Sequence, residues 1–125
     1  MIDFKNGSLF KLRRVNDNEV GDNLYSLLLP EEKIIGTYKA MRDYVVFTDL
    51  RIIAVNVQGA TGIKQDLTSL PYKKINLFSI ETAGAMDTDA ELELYFSGLD
   101  DKIIFEFSGG CDIGRIGRII GTFVL

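Results

Sequence analysis

The stretch from Met41 to Val57, Met-Arg-Asp-Tyr-Val-Val-Phe-Thr-Asp-Leu-Arg-Ile-Ile-Ala-Val-Asn-Val, restricts the fold more than any other part of the chain. It reads as two short apolar strands, Tyr44–Thr48 and Arg51–Val57, joined by a tight turn at Asp49-Leu50. β-Branched and aromatic residues dominate both runs, and these fit a pleated, half-buried surface better than a helix. Val45 and Phe47 fall on one face, Tyr44 and Val46 on the other. A strand that is apolar on both faces is covered on both sides. The hairpin therefore belongs near the middle of the fold.

The remainder of the chain repeats this rhythm. Lys33–Met41 alternates across Gly36, with Ile35, Thr37 and Lys39 on one side and Ile34, Tyr38 and Ala40 on the other. A turn at Gln58–Gly62 precedes Ile63–Leu70, and Pro71 bars a central-strand continuation. Lys73–Thr82 resumes as a strand with Phe78 and Ile80 on one face, followed by a loop at Ala83–Asp89. Leu92, Leu94 and Phe96 alternate in the next strand, and Ile103, Phe105 and Phe107 in the one after, with Gly98–Asp101 between them. About seven short strands at hairpin spacing predict a mainly β chain, an antiparallel sandwich or barrel.

Two helices flank the strands. Asn16-Asp17-Asn18-Glu19 has the form of a capped helix start, and Val20, Leu24, Leu27 and Leu28 then recur on one face until Pro30. This reads as a helix packed on its own domain rather than as an arm gripping a partner. Met1–Val15 carries little signal beyond a turn at Asn6-Gly7. At the other end, Asp112–Phe123 places Ile113, Ile116, Ile119, Ile120 and Phe123 on one face, with Arg115, Arg118 and Thr122 opposite. Gly114, Gly117 and Gly121 form a stripe beside the apolar face. Three glycines cost a helix about 3 kcal/mol relative to alanine, so packing must hold it. The bare stripe invites close approach by this domain's own sheet or by another copy of the chain.

Composition limits the chemistry. A length of 125 residues suits one domain with a true hydrophobic core. The net charge of −4 argues against nucleic acid or anionic lipid as the main partner. The single cysteine, Cys111, excludes an intrachain disulfide and fits a reducing cytoplasm. Met1–Gly7 lacks the basic start and apolar core of a signal peptide, and no apolar run reaches the roughly 18 residues of a membrane span. The expectation is a soluble cytoplasmic protein.

Three segments carry a resemblance. Arg42–Arg51, Ser69–Ile75, and Ser79–Gly84 followed by Asp87-Thr88-Asp89-Ala90-Glu91-Leu92 are together similar, in order and spacing, to the bacterial pleckstrin-homology (PH) family of small free-standing domains. The resemblance runs from about Glu31 to the C-terminus and implies a PH-like, partly open barrel capped by the C-terminal helix. Residues 1–30 then form an N-terminal helical extension and residues 31–125 the PH-like domain. It further implies a tendency to form ring-shaped homo-oligomers. It brings no substrate, cofactor or binding residue. The glycine-rich last helix departs from the family form.

The candidate sites are few. There is no histidine, the commonest acid–base group and metal ligand. Cys111, without a histidine to activate it, reads as a structural thiol. Asp87, Asp89, Glu91 and Glu93 alternate like the start of a Ca²⁺ loop, but Leu92 and Gly98 stand where that loop needs glycine and glutamate. A solvated strand face is the simpler reading. Gly109–Gly114 resembles a phosphate cradle only in glycine content, and Asp112 reads as a helix cap. By analogy with lipid-binding pleckstrin domains, a lipid head-group site would use Lys39 and Arg42, with Arg51 further on and Lys73 and Lys74 as a small added patch. Asp43 and Asp49 dilute that charge, and surface lysines that need no ligand are the simpler reading. The sequence supports a non-enzymatic scaffold or binding module that assembles with itself and holds a peptide or protein partner. The alternative is a peripheral membrane adaptor. No catalytic, cofactor-binding or metal-ligating residue is assigned.

Overall fold

A computed structural model describes residues 11–125; the turn at Asn6-Gly7 lies outside them. In chain order the elements are β1 (Arg13–Val15), a 3₁₀ turn (Asp17–Glu19), α1 (Asp22–Leu27), β2 (Ile34–Ala40), β3 (Asp43–Thr48) and β4 (Arg51–Gln58). There follow β5 (Lys64–Pro71), a 3₁₀ turn (Tyr72–Lys74), β6 (Ile75–Glu81), β7 (Ala90–Phe96), β8 (Ile103–Phe107) and α2 (Ile113–Val124). The strands make two antiparallel sheets, ordered β1-β2-β3-β4-β5 and β6-β7-β8.

The hairpin that is apolar on both faces sits inside the larger sheet, as its pattern requires. Val45 and Phe47 enter the main core between the sheets, joined by Leu92, Leu94, Phe105 and Phe107 from the smaller one. Tyr38 packs edge-on to Phe47 and Phe107, with ring centroids 5.6 and 5.2 Å away. Val46 faces the other way, into a second cluster with Ile53, Val55, Val20 and Leu24. The N-terminal helical segment thus covers the outer face of the larger sheet and packs on its own domain.

Four local expectations change. The predicted continuous helix from Asn16 is broken at Gly21, whose φ of 83° leaves a 3₁₀ turn and a separate short α1. Asn16 makes no side-chain cap hydrogen bond, and Leu27 stays exposed. In β2 the register shifts between Ile34 and Gly36. That bulge turns Ile35 toward the main core with Tyr38 and Ala40, and Ile34 toward the outer cluster. Residues 72–74 are a 3₁₀ turn rather than the start of a strand. The unpredicted β1 pairs with β2, and its neighbour Leu12 closes the barrel. Leu12 N–H donates to the Glu106 carbonyl and its own carbonyl accepts from Ser108 N–H, both at 2.9 Å.

On the other side the barrel is open, since β5 and β6 are joined only through Pro71 and the 72–74 turn. α2 plugs the core there with Ile116, Ile119 and Ile120, and Phe123 stacks on Tyr72 at 5.0 Å. The sheet accounts for one glycine of the stripe: a Cβ at Gly117 would meet Ile80 of β6 at 3.6 Å. At Gly114 and Gly121 a Cβ would meet only residues flanking it in sequence.

A buried clasp fixes the turn between β3 and β4. Glu32 accepts from Arg51 Nε at 3.0 Å and Nη2 at 2.8 Å, from Thr48 Oγ1 at 2.7 Å and from Leu29 N–H at 3.0 Å. Burial pushes the Glu32 carboxyl up, but the bonds from Arg51, Leu29 and Thr48 outweigh it and hold the group below the ordinary glutamate range. A carboxyl lowered in the folded state stabilises above its unfolded pKa, and that contribution is lost as pH falls through the folded value.

Arg51→Ala should therefore cost about 3–5 kcal/mol at neutral pH, because it strands a buried carboxylate. The deficit against the parent chain, read by urea denaturation, should narrow as pH drops below the ordinary glutamate range. Gly121→Ala should instead raise stability by up to about 1 kcal/mol, since its Cβ meets only Leu125 at a comfortable 3.8 Å; thermal melting measures it.

Candidate functional site

The open side of the barrel holds a groove of about 500 Å³, between the β3–β4 turn, the end of β5, the 72–74 turn and the end of α2. Leu29, Leu50, Pro71, Tyr72 and Phe123 give it apolar walls, and Asp49, Arg51, Ser69 and Lys73 supply polar groups. Each wall has a local cause. Thr48 Oγ1 accepts from the N–H groups of Leu50 and Arg51, both at 3.1 Å, and the turn so tightened pushes Leu50 outward, half-exposed. Asp49 accepts from Lys33 N–H at 3.0 Å. Pro71 ends β5, so the chain bends into the 3₁₀ turn and buries Tyr72.

Tyr72 donates its hydroxyl to the Thr48 carbonyl at 2.7 Å. Burial, reinforced by the charges of Asp49 and Glu32, pushes its phenol far above the ordinary tyrosine value. It stays a donor throughout the physiological range. Arg51 is spent on Glu32, on the Leu27 carbonyl and on Ser69. The Phe47-Thr48-Asp49-Leu50-Arg51 motif thus builds the groove's wall and leaves its guanidinium no free fork.

The four cations assigned to a lipid head-group do not converge. Lys39, on β2, lies with Nζ 5.4 Å from the Tyr44 ring centroid, and Arg42 is exposed in the β2–β3 turn. Lys73 and Lys74 project from the turn after Tyr72, which is bonded to Thr48 at the far end of β3. β3, five residue steps or about 17 Å long, runs between the ends from which the two pairs project. Asp43 is buried, accepting from Val57 N–H at 2.9 Å and Asn56 Nδ2 at 3.1 Å.

The alternating acids divide as well. Asp89 pairs with Lys11 and accepts from Gly109 N–H at 3.1 Å, while Asp87 accepts from Asp89 N–H at 3.0 Å. Glu91 stands in register between Glu81 on β6 and Glu106 on β8. Carboxylate oxygens of Glu81, Glu91 and Glu93 all lie within 4.8 Å of one another. Glu93 also pairs with Lys102. The strand face is partly shielded rather than fully solvated, and burial together with the charges of Glu81 and Glu93 raises the Glu91 carboxyl above its ordinary value. Glu81 escaped notice because only strand pairing brings it beside residues 10 and 12 positions later.

Cys111 is half-buried and donates its thiol to the Leu12 carbonyl at 3.4 Å. Asp112 caps α2, accepting from Arg115 N–H at 3.0 Å. Arg115, expected on the polar face, reaches back to the Ile35 carbonyl at 2.9 Å.

Two sheets closed along one seam, open along the other and plugged by a C-terminal helix define a PH-like domain with a groove at its open side. The chain belongs to the bacterial PH domain family, whose sequence model matches residues 3–124. A DUF1696 family protein with a pleckstrin-homology domain from Shewanella loihica is similar in structure. Its TM-score is 0.81 at 38% identity, over 93% of this chain and 99% of that one. The pleckstrin homology domain from Shewanella amazonensis gives 0.68 at 38% identity, over 89% and 90% of the two chains. Uncharacterized protein YjqA of Bacillus subtilis is 42% identical over 97 residues, 78% of each chain.

Glu81→Gln should lower the titration midpoint of Glu91 toward the ordinary glutamate value, read by carboxyl carbon NMR. The raised Glu91 group weakens the fold as pH climbs through its midpoint. Stability at neutral pH should therefore rise by some tenths of a kcal/mol to about 1 kcal/mol, as expected when opposed like charges are relieved.

Proposed function

We propose that this chain is a non-enzymatic cytoplasmic scaffold that assembles with copies of itself into a ring and holds a peptide or protein partner. The observation that carries the reading is the open side of the barrel. Among the described residues, β5 and β6 each have a strand neighbour on one side only. Their outer backbone groups can accept another chain's strand through main-chain hydrogen bonds, and a closed ring leaves no edge exposed. β6 presents Leu77 there, 53% exposed, and β5 is preceded by Ile63, 79% exposed. The groove beside these edges offers apolar walls with few polar groups, the form that takes one or two anchoring side chains of a peptide. The unpaired thiol of Cys111 fits a reducing compartment.

Light scattering behind a sizing column should give one mass several times 14.0 kDa, stable on dilution. Leu77→Lys, at an exposed position, should lower that mass toward one chain while leaving the circular dichroism unchanged. A monomer at every concentration would remove the ring from this reading.

A further inference from the structure

Acids outnumber bases in this chain, 18 to 14. Yet among the described residues no carboxylate pairs with Arg13, Arg14 or Arg115. All three line one cleft of about 390 Å³, between β1, β2 and the loop that leads into α2. A Cβ on Gly36 would lie 3.2 Å from Arg115 Nη1 and 3.7 Å from Arg14 Cζ, so both guanidiniums gather over the same bare stretch of β2. Tyr38 stands beside them, its ring centroid 5.7 Å from Arg14 Cζ and its hydroxyl 3.5 Å from Arg115 Nη1. The bond from Arg115 Nη2 to the Ile35 carbonyl holds that guanidinium in place. Arg13 opposes Lys39 in register, and like charges directly opposite destabilise a strand pair.

Of the neighbouring acids, Asp112 also lines the cleft, with its carboxylate turned to the Arg115 N–H and, at 3.9 Å, to Arg118. Asp17 accepts from the Thr37 hydroxyl at 2.8 Å, and Asp89 holds Lys11. Planar guanidinium forks match the oxygens of a phosphate group, and several can grip one group together. We propose that this cleft binds the phosphate group of a soluble phosphate ester, held by Arg14 and Arg115 with Arg13 at the rim. The helix-end backbone is not assigned a part, because Asp112 already accepts from the Arg115 N–H. A lipid could present the same group. The net charge of −4 and the Glu81, Glu91 and Glu106 row on the small sheet oppose approach to an anionic bilayer, which favours the soluble source. This site is separate from the groove and edges assigned to assembly.

Titration of the ¹⁵N-labelled protein with glycerol 3-phosphate, against sodium chloride at equal ionic strength, should give saturable shifts at the amides of Gly36, Gly109, Gly110 and Arg115. Arg14→Gln, at an exposed position, should weaken binding about ten-fold or more. Arg115→Lys should weaken it too, since it keeps the charge but not the fork. Lys74→Gln, on an exposed side chain outside the cleft, should change nothing. Phosphatidic acid vesicles should not sediment the protein. Sedimentation lost in Arg14→Gln would keep the phosphate site and assign it a lipid source. Shifts that do not saturate, or that Arg14→Gln leaves unchanged, would overturn the proposal.

Discussion

A buried carboxylate with a matched guanidinium is the interaction on which the open side of this barrel depends. Glu32 lies just ahead of β2, Arg51 opens β4, and between them Thr48 closes the turn. Neither charge could be buried alone at tolerable cost; together, with Leu29 N–H and the Thr48 hydroxyl completing the oxygen's partners, they can. Through Arg51 the clasp also reaches the end of α1 at Leu27 and β5 at Ser69. Through Thr48 it reaches Tyr72, and Tyr72 seats Phe123 of the last helix. One ion pair therefore sets where the groove's walls stand relative to one another. The Phe-Thr-x-x-Arg pattern is best understood as the sequence trace of this arrangement.

Strand identity was legible because burial leaves a period. Leu92, Leu94 and Phe96, and Ile103, Phe105 and Phe107, alternate cleanly since one face of the small sheet meets the core and the other does not. The β3–β4 hairpin was legible for the opposite reason: covered on both sides, it shows no polar face at all. The helix cap at Asp112 and the apolar face of α2 followed from spacing as well.

What escaped the pattern depends on single backbone events or on pairing across the chain. One extra residue at the β2 bulge reverses which of Ile34 and Ile35 faces the core, and no periodicity announces it. Gly21 splits the first helix by adopting a left-handed φ that nothing in the apolar spacing requires. β1 spans three residues, two of them arginine, and is a strand only because β2 offers an edge. The same holds for chemistry. Arg14 and Arg115 lie about a hundred positions apart and meet only where Gly36 leaves room, and Glu81 joins Glu91 only through register.

The seam at Leu12 has a consequence for how the chain reaches this shape. Both backbone groups of that residue bond to positions 106 and 108, so the barrel's closing stitch joins nearly opposite ends of the described chain. Contacts of such long sequence separation form slowly, because a large loop must close before they contribute. During synthesis the larger sheet can assemble from β2 to β5 while the seam still waits for β8 to emerge from the ribosome. Until then the inner face of that sheet, with Val45, Phe47 and Ile52, has only β6 and β7 to cover it and lacks Phe105, Phe107 and the α2 plug. The last fifth of the sequence, β8 and α2, thus supplies the cover that completes the core.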